Sequence, residues 1–198
     1  DFAKRLPRRL RAIAALVAAG RTVRLFFQDE ARMGLHLPRY RRLTARGVCP
    51  VVPHDPLYEY YWLYGAVEPA TGESHFWEMP ALNAECFSIY LSKLAEAYPA
   101  TLNVVALDNA PAHIAARVVV PENVVLLPLP SYSPELNPVE RLWLYLRQQI
   151  DVFDEAVRTT LAGLREHMGG IVRSLTMAET QSVTGYDYIL DAVRALES

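Results

Sequence analysis

Three acidic residues lie where the chain passes from one predicted element to the next. Asp29 ends a predicted strand, Asp108 ends a later one, and Glu140 lies in the first turn of a predicted helix. At an effective dielectric of about 20, two unit charges about 4 Å apart repel by about 4 kcal/mol, so such a trio needs a cation or a proton. Carboxylate oxygens suit Mg²⁺ or Mn²⁺, and two such ions about 3.5–4 Å apart promote phosphodiester chemistry. The trio therefore predicts a nuclease or a strand-transfer enzyme.

Each of the three residues also has a structural interpretation. Asp29 and Asp108 are of a type that is common in the turns after strands. Asn137, Pro138 and Glu140 together match a capping box, in which the glutamate bonds back to the helix cap instead of facing a site. Spacing alone does not separate the two interpretations. Convergence of all three carboxylates on one edge of a sheet is what favours catalysis.

The elements that must position these carboxylates alternate between strands and helices. A first helix ends at Gly20, and apolar runs bounded by turn residues predict five strands. The order βββαβαβα predicts an α/β fold of the ribonuclease-H-like (integrase) type, a mixed five-stranded sheet flanked by helices, with the first and fourth strands as neighbours. The predicted strands cover residues 23–29, 58–67, 74–79, 103–108 and 124–128; the predicted helices cover 83–98, 111–118 and 138–150, with extra C-terminal helices after residue 153 that are interrupted at Gly169 and Gly170.

The predicted helix after the last strand has a clear apolar stripe. Val139, Trp143 and Leu146 share one face at helical spacing, which predicts burial against the sheet. Glu140 falls at the edge of this stripe, with Arg147 almost directly beneath it. An edge position would let the Glu140 carboxylate reach the rim of the sheet while its helix stays anchored.

The charge is unevenly distributed along the 198 residues. The net charge is only −2, yet the first 50 residues carry 12 basic and 3 acidic side chains. Such a block predicts a surface that faces phosphates, although an ordinary solvated helix face is the simpler interpretation of residues 4–11. The candidate DNA contacts are Arg32, Arg39, Arg41, Arg42, Arg46 and Arg147.

Composition excludes several other classes of protein. With 52% hydrophobic residues, the chain is neither disordered nor a disulfide-stapled miniprotein, and Cys49 and Cys86 are predicted to be reduced thiols. The histidines lack the spacing of a zinc site, and no apolar run is long enough to span a membrane. We therefore expect a cytoplasmic protein without a membrane partner. The simplest interpretation of His113, five residues after Asp108, is a structural histidine near a helix start; the functional alternative is a supporting role in which it orients a carboxylate or phosphate.

Three segments carry longer motifs. They read FFQDEAR over residues 26–32, LDNAPAH over 107–113 and LPSYSPELNPVERLW over 129–143. In this order they resemble the three signature blocks of the DDE transposases in the bacterial insertion-sequence branch of the mariner superfamily. The resemblance extends over about residues 20–150 and implies a catalytic trio of Asp29, Asp108 and Glu140.

The resemblance also implies a reaction and its cofactors. Such enzymes bind two divalent ions, Mg²⁺ or Mn²⁺, and cut and rejoin DNA at transposon ends and target sites. By this likeness Asp29 would bridge both ions, Asp108 and Glu140 would each complete one, and Asn109 and His113 would support these ligands. Relatives usually carry helix-turn-helix modules ahead of the catalytic domain, and we expect this chain to lack them because its first strand begins near residue 23.

We therefore expect three parts. Residues 1–22 form a basic helix and linker, residues 23–152 a ribonuclease-H-like DDE catalytic domain, and residues 153–198 a helical extension packed on it. A homodimer is left open. The alternative function is a catalytically silent, transposase-derived scaffold for DNA binding or dimerisation. A glycosidase that uses a carboxylate pair is a further alternative, against which the cationic N-terminal block counts.

Overall fold

Five strands form one mixed sheet in the computed structural model, which describes residues 2–18, 20–35, 45–48, 58–151 and 154–197. The strand order is β3-β2-β1-β4-β5, with β1–β2 and β2–β3 antiparallel and β1–β4 and β4–β5 parallel. The predicted mixed sheet, with the first and fourth strands as neighbours, is confirmed. The strands are β1 (Val23–Gly34), β2 (Tyr60–Val67), β3 (Ser74–Met79), β4 (Leu102–Leu107) and β5 (Val124–Pro128).

Helices cover both faces of the sheet. Asn83 caps the second helix as its sequence predicts, because its side chain accepts a hydrogen bond from the Cys86 backbone N–H at 2.8 Å. The helices are α1 (Phe2–Val17), α2 (Ala84–Ala97), α3 (Pro111–Ile114), α4 (Val139–Gln148), α5 (Glu155–Thr159), α6 (Leu161–Ser174), α7 (Met177–Thr184) and α8 (Asp187–Glu197), with a 3₁₀ turn at Pro134–Leu136. None of the helices described here is long and apolar enough to cross a membrane.

Two hydrophobic cores lie on opposite faces of the sheet. One core packs the sheet against α2, and the other packs it against α1, α4 and the C-terminal helices. Strand β1 contributes to both because successive side chains alternate between faces: Phe27 and Ala31 point to α4, whereas Phe26 points to α2. The same alternation places Asp29 on the α4 face and Glu30 on the α2 face.

Asp29 does not end β1, so that prediction is wrong. Pairing with β4 stops at Phe27, but pairing with β2 continues to Gly34, five residues beyond Asp29. The extra residues stay in the sheet because Ala31 and Met33 are buried in the α4-side core. Asp29 therefore lies on a rigid strand, just past the point where β4 ends.

Two helix predictions also need correction. α3 ends at Ile114 instead of residue 118, because Ala115 is extended and most of the residues that follow it are exposed. α6 runs without interruption through Gly169 and Gly170. Each glycine costs a helix about 1 kcal/mol relative to alanine, and the buried apolar face of α6 outweighs that cost.

The N-terminal and C-terminal helices meet on the α4 side of the sheet. α1 buries Phe2, Leu6 and Leu10 in the shared core, and the Arg11 side chain donates a hydrogen bond to the Ala195 carbonyl in α8 at 3.1 Å.

Cys86 is a buried free thiol, whereas Cys49 lies outside the described residues.

Candidate active site

Asp29 is held by a tryptophan that reaches it across a glycine. In the antiparallel β1–β2 pair, Asp29 lies opposite Gly65. A Cβ atom on Gly65 would lie 2.6 Å from the Trp143 ring and 2.8 Å from the Phe76 ring, so only glycine leaves room for the indole. Trp143 Nε1 donates a hydrogen bond to Asp29 Oδ2 at 2.9 Å. The buried stripe of α4 thus fixes one carboxylate oxygen.

The environment of Asp29 disfavours its negative charge. Burial, followed by the charges of Glu140 and Glu30, raises the pKa of Asp29 to about 8, against opposing hydrogen bonds from the Glu30 backbone and Trp143. At neutral pH without a bound cation, Asp29 is therefore largely protonated. A cation near Asp29 and Glu140 would relieve the repulsion and displace this proton.

Glu140 lies at the start of α4 and does not form the capping box that its sequence allows. Pro138 occupies the cap position, with no side-chain capping bond. Asn137 instead donates to the Gln28 carbonyl at 3.0 Å and accepts from the Val139 backbone N–H at 3.2 Å. The buried Asn137 thus ties the start of α4 to β1, and Glu140 is left exposed.

Asp108 lies directly after β4, as predicted. Its side chain is 61% exposed, and its Oδ1 accepts a hydrogen bond from the Ala110 backbone N–H at 2.9 Å. The neighbouring Asn109 donates to the Leu129 carbonyl at 2.7 Å, which joins the loop after β4 to the end of β5. Asn109 therefore holds the loop that carries Asp108.

His113 connects Asp108 to a carboxylate that sequence reasoning missed. Nδ1 of His113 lies 2.8 Å from Asp108 Oδ1, and Nε2 lies 2.8 Å from Glu30 Oε1. Ionised carboxylates only accept hydrogen bonds, so contact with both requires a proton on each ring nitrogen. Burial opposes this charge, but the hydrogen bond and charge of Glu30 and then those of Asp108 outweigh it, and the pKa of His113 is raised.

Strand alternation in the sequence could have identified Glu30 as a buried carboxylate that needs a partner. Strand alternation places it on the face opposite Asp29, where a carboxylate among apolar residues needs a partner. Among the described residues, Glu30 forms its ion pair with His113, and no lysine or arginine is paired with it. His113, six residues beyond the end of the neighbouring strand β4, was the available cation.

One cavity of about 420 Å³ brings the predicted trio together. Asp29, Asp108 and Glu140 all line it, with Asn109 and the loop over residues 129–134. No basic side chain lines this cavity among the residues that the structure describes. Within the same described ranges, no three acidic, histidine or cysteine side chains stand close enough to hold one metal ion in this conformation. The donor set nevertheless suits a hard divalent cation, because it offers carboxylate oxygens with no competing cation at Asp29 or Glu140.

Of the predicted DNA-binding arginines, the structure describes three, Arg32, Arg46 and Arg147, which lie on three separate segments of the chain. Arg32 is exposed, and its guanidinium lies 3.9 Å from the centre of the Tyr60 ring. Arg46 is exposed and Arg147 is half-buried on α4. Arg39, Arg41 and Arg42 lie outside the described residues.

Comparison with known proteins identifies the family. The model of the DDE superfamily endonuclease family matches residues 24–158. The chain belongs to this family. The match includes all three carboxylates of the cavity and confirms the expected DDE class, while the insertion-sequence branch stays a prediction.

One curated sequence and several solved structures are similar to this chain. The uncharacterised protein y4pE/y4sA of Sinorhizobium fredii is 33% identical over 87 residues, which cover 43% of this chain and 64% of that protein. The Mos1 transposase paired-end complex with left transposon end matches 98% of this chain and 60% of that chain, with a TM-score of 0.61 and 16% identity. The Mos1 mariner paired-end complex with Mn matches 97% of this chain and 59% of that chain, with a TM-score of 0.62 and 15% identity. The chain thus spans about 60% of the length of these relatives.

Proposed function

We propose that this domain cleaves DNA strands and transfers them by metal-dependent phosphoryl transfer, with Asp29, Asp108 and Glu140 as the catalytic metal ligands. The observation that carries the proposal is electrostatic. The half-buried Asp29 and the neighbouring Glu140 repel each other in a cavity whose described lining contains no basic side chain. A fold gains nothing from this repulsion unless a cation completes the site.

The bound cations would be Mg²⁺ or Mn²⁺, two per site, and they would supply an activated nucleophile and neutralise the leaving oxygen. Asp29, the most buried of the three carboxylates, would hold the ions jointly with Asp108 and Glu140, which lie on separate elements at the rim. Asp29 would lose its proton on binding. His113 and Asn109 would hold the Asp108 loop. The Mos1 complexes that share this fold include one with Mn and one with Mg, which supports this choice of ions.

DNA is the proposed substrate. The Mos1 complex with a transposon end contains DNA on the same fold, and phosphodiesters are the substrates that paired divalent ions serve. Arg32, Arg39, Arg41, Arg42, Arg46 and Arg147 are the proposed backbone contacts, because guanidinium groups bind phosphate in a bidentate manner.

The test is cleavage of supercoiled plasmid DNA with Mg²⁺ or Mn²⁺. We expect nicking that a chelator abolishes, and Glu140→Gln should lower the rate by more than about 100-fold, the upper cost of losing an outer partner of a ligand. Glu85→Gln is the matched control, since Glu85 is also exposed in the first turn of a helix. Equal rates for the two variants would remove Glu140 from the reaction. Nicking that survives the chelator would contradict a metal-dependent reaction.

The silent scaffold is the second candidate. It is favoured by one observation: in the described residues the three carboxylates share the cavity without standing close enough to hold an ion together. Crystals soaked in Mn²⁺ separate the two candidates through the anomalous signal of manganese. Peaks between Asp29, Asp108 and Glu140 would support catalysis, and an empty map in crystals that also contain DNA would support the scaffold.

A further inference from the structure

A chain of hydrogen bonds runs from the α2 face of the sheet to the candidate active site. Gln28 Nε2 donates to Glu30 Oε1 at 2.8 Å, Glu30 Oε1 lies 2.8 Å from His113 Nε2, and His113 Nδ1 lies 2.8 Å from Asp108 Oδ1. Only the last member of this chain is exposed. The side chains of His113 and Glu30 are 2% and 5% exposed, whereas that of Asp108 is 61% exposed. A buried pair thus ends on an exposed carboxylate.

Burial of Glu30 is not explained by packing. Its neighbours on this face are aromatic: the His113 ring lies 4.4 Å from the Phe87 ring, centre to centre, and the charge of Glu30 contributes to the raised pKa of Tyr64 and Tyr90. Replacing a buried ion pair by apolar residues is often neutral or stabilising. An acid retained in such a place therefore indicates a role in orientation.

His113 alone could not hold Asp108 in one orientation. An imidazole with one anchored nitrogen can rotate about its side-chain bonds, whereas an imidazole bonded at both nitrogens is fixed in plane and tautomer. Glu30 supplies the second anchor from a rigid strand. The Asp108 Oδ1 atom is then held by two donors, His113 and the Ala110 backbone, and Oδ2 has no hydrogen bond to any described residue.

We propose that Glu30 is a positioning residue of the active site: from the opposite face of the sheet it fixes the His113 ring, which orients Asp108 with Oδ2 directed to a metal ion. The proposal rests on the proposed function of Asp108 as a ligand. Glu30 touches neither substrate nor metal in this scheme. Its effect reaches the reaction only through the Asp108 carboxylate.

Two substitutions of similar volume test the role. Glu30→Leu removes the acceptor and keeps the packing, whereas Glu30→Gln keeps a hydrogen-bond partner for His113 Nε2 and should behave as a rescue. Glu68→Leu is the matched control, because Glu68 is a buried carboxylate that directly follows β2, pairs with Arg24 near the start of β1 and lies outside the cavity. Unfolding of all three variants is followed by circular dichroism, so that any loss of stability is measured separately.

The first readout needs no metal or activity. The amide proton of Ala110 donates to Asp108 Oδ1, so its NMR chemical shift reports on the orientation of that carboxylate. We expect Glu30→Leu to move this resonance as His113→Ala does, and Glu30→Gln and Glu68→Leu to leave it in place. An unmoved resonance in Glu30→Leu would overturn the proposal even if the domain never binds metal.

The second readout is the Mn²⁺ concentration that gives half-maximal binding, measured by electron paramagnetic resonance. Loss of a group that orients a ligand costs about 10- to 100-fold in metal affinity. We expect that loss in Glu30→Leu and near-native affinity in Glu30→Gln and Glu68→Leu. If the unsubstituted protein binds no Mn²⁺, the proposed function fails and the Ala110 resonance decides the positioning role. If it binds Mn²⁺ and Glu30→Leu binds equally well, only the positioning role fails.

Discussion

Strand β1 carries two clusters of charge that are built in opposite ways. Near its start, Arg24 donates to Glu68 at 3.2 Å and to Glu73 at 2.7 Å, and the guanidinium lies 4.2 Å from the centre of the Tyr98 ring. Five residues later, Asp29 lies beside Glu140, and in the described part of the chain no basic side chain pairs with either. The first cluster contains its own cation and the second does not.

The difference separates acids that serve the fold from acids that serve a site. Glu68 is as buried as a core residue, and Arg24 compensates its charge within the chain. Asp29 is half-buried, but its pKa of about 8 shows that its charge is left uncompensated. Such a carboxylate lowers stability unless it takes up a proton or a metal ion. The fold therefore leaves the charge of Asp29 uncompensated on β1, whereas Arg24 on the same strand compensates the charge of Glu68.

The largest expected effect is on the pH dependence of stability. Because the folded-state pKa of Asp29 is raised above its unfolded value of 3.8, its contribution is full below about pH 4 and is lost as the pH rises to about 8. The loss is on the order of 5 kcal/mol, from about four pKa units. In Asp29→Asn this loss should disappear, which urea unfolding of the metal-free protein from pH 4 to 9 will measure.

A bound metal ion should restore the folding stability that Asp29 loses as the pH rises. At pH 8, Mn²⁺ should raise the free energy of unfolding of the unsubstituted protein and leave that of Asp29→Asn unchanged, since binding to the folded state alone stabilises it. His113 also has a raised pKa and adds to the decline with pH in both proteins, so the difference between them isolates Asp29. Parallel stability curves for the two proteins would contradict an uncompensated Asp29.

The second prediction concerns the compensated cluster. Arg24→Met leaves Glu68 buried without its partner, and breaking a buried pair from one side costs about 3–5 kcal/mol. The activity per folded molecule should stay unchanged because the cluster lies outside the cavity. Urea unfolding and plasmid nicking, corrected for the folded fraction, check both parts.

The double variant Arg24→Met/Glu68→Leu serves as the control for that substitution. It removes the orphaned charge together with its partner and should recover a large part of the lost stability. If the single variant is as stable as the unsubstituted protein, the two clusters do not differ as their contacts indicate. A lower nicking rate in fully folded Arg24→Met would show that the Arg24 cluster also serves the reaction, and would contradict the distinction between the two clusters.

Much of the fold was predictable because its signals are local. Asn83 caps α2, and turn residues bound β3 and β5 where the sequence predicts. The bounds that failed depend on distant partners: β1 continues past Asp29 only because β2 pairs with it as far as Gly34. No local sequence pattern predicts how far β1 pairs with β2.

The site was predictable in composition and not in contacts. Asp29, Asp108 and Glu140 do line one cavity, as strand order and helix phase predict. The partners that hold them come from other elements: Trp143 on α4 bonds Asp29, and Glu30 reaches Asp108 through His113. Which side chains meet across a sheet depends on its twist and packing, and periodicity does not specify these.

The smallest expected effect tests how closely Asp29 depends on its support. In Gly65→Ala the new Cβ would lie 2.6 Å from the Trp143 ring, and both neighbouring rings are enclosed in the core, so they must shift. Overpacking of this kind costs about 1–3 kcal/mol. Movement of the indole should also weaken its hydrogen bond to Asp29, which opposes the raised pKa of that carboxyl, so the pKa should rise further.

Gly170→Ala is the matched control, because a Cβ at this helical glycine meets nothing within 4 Å. It should stabilise the protein by up to about 1 kcal/mol through helix propensity and leave the titration of Asp29 unchanged. The carboxyl ¹³C resonance of Asp29, followed against pH, measures the pKa in each variant. If Gly65→Ala lowers stability but leaves this titration where it is, Trp143 packs beside Asp29 without changing its pKa, and burial, Glu140 and Glu30 set that pKa.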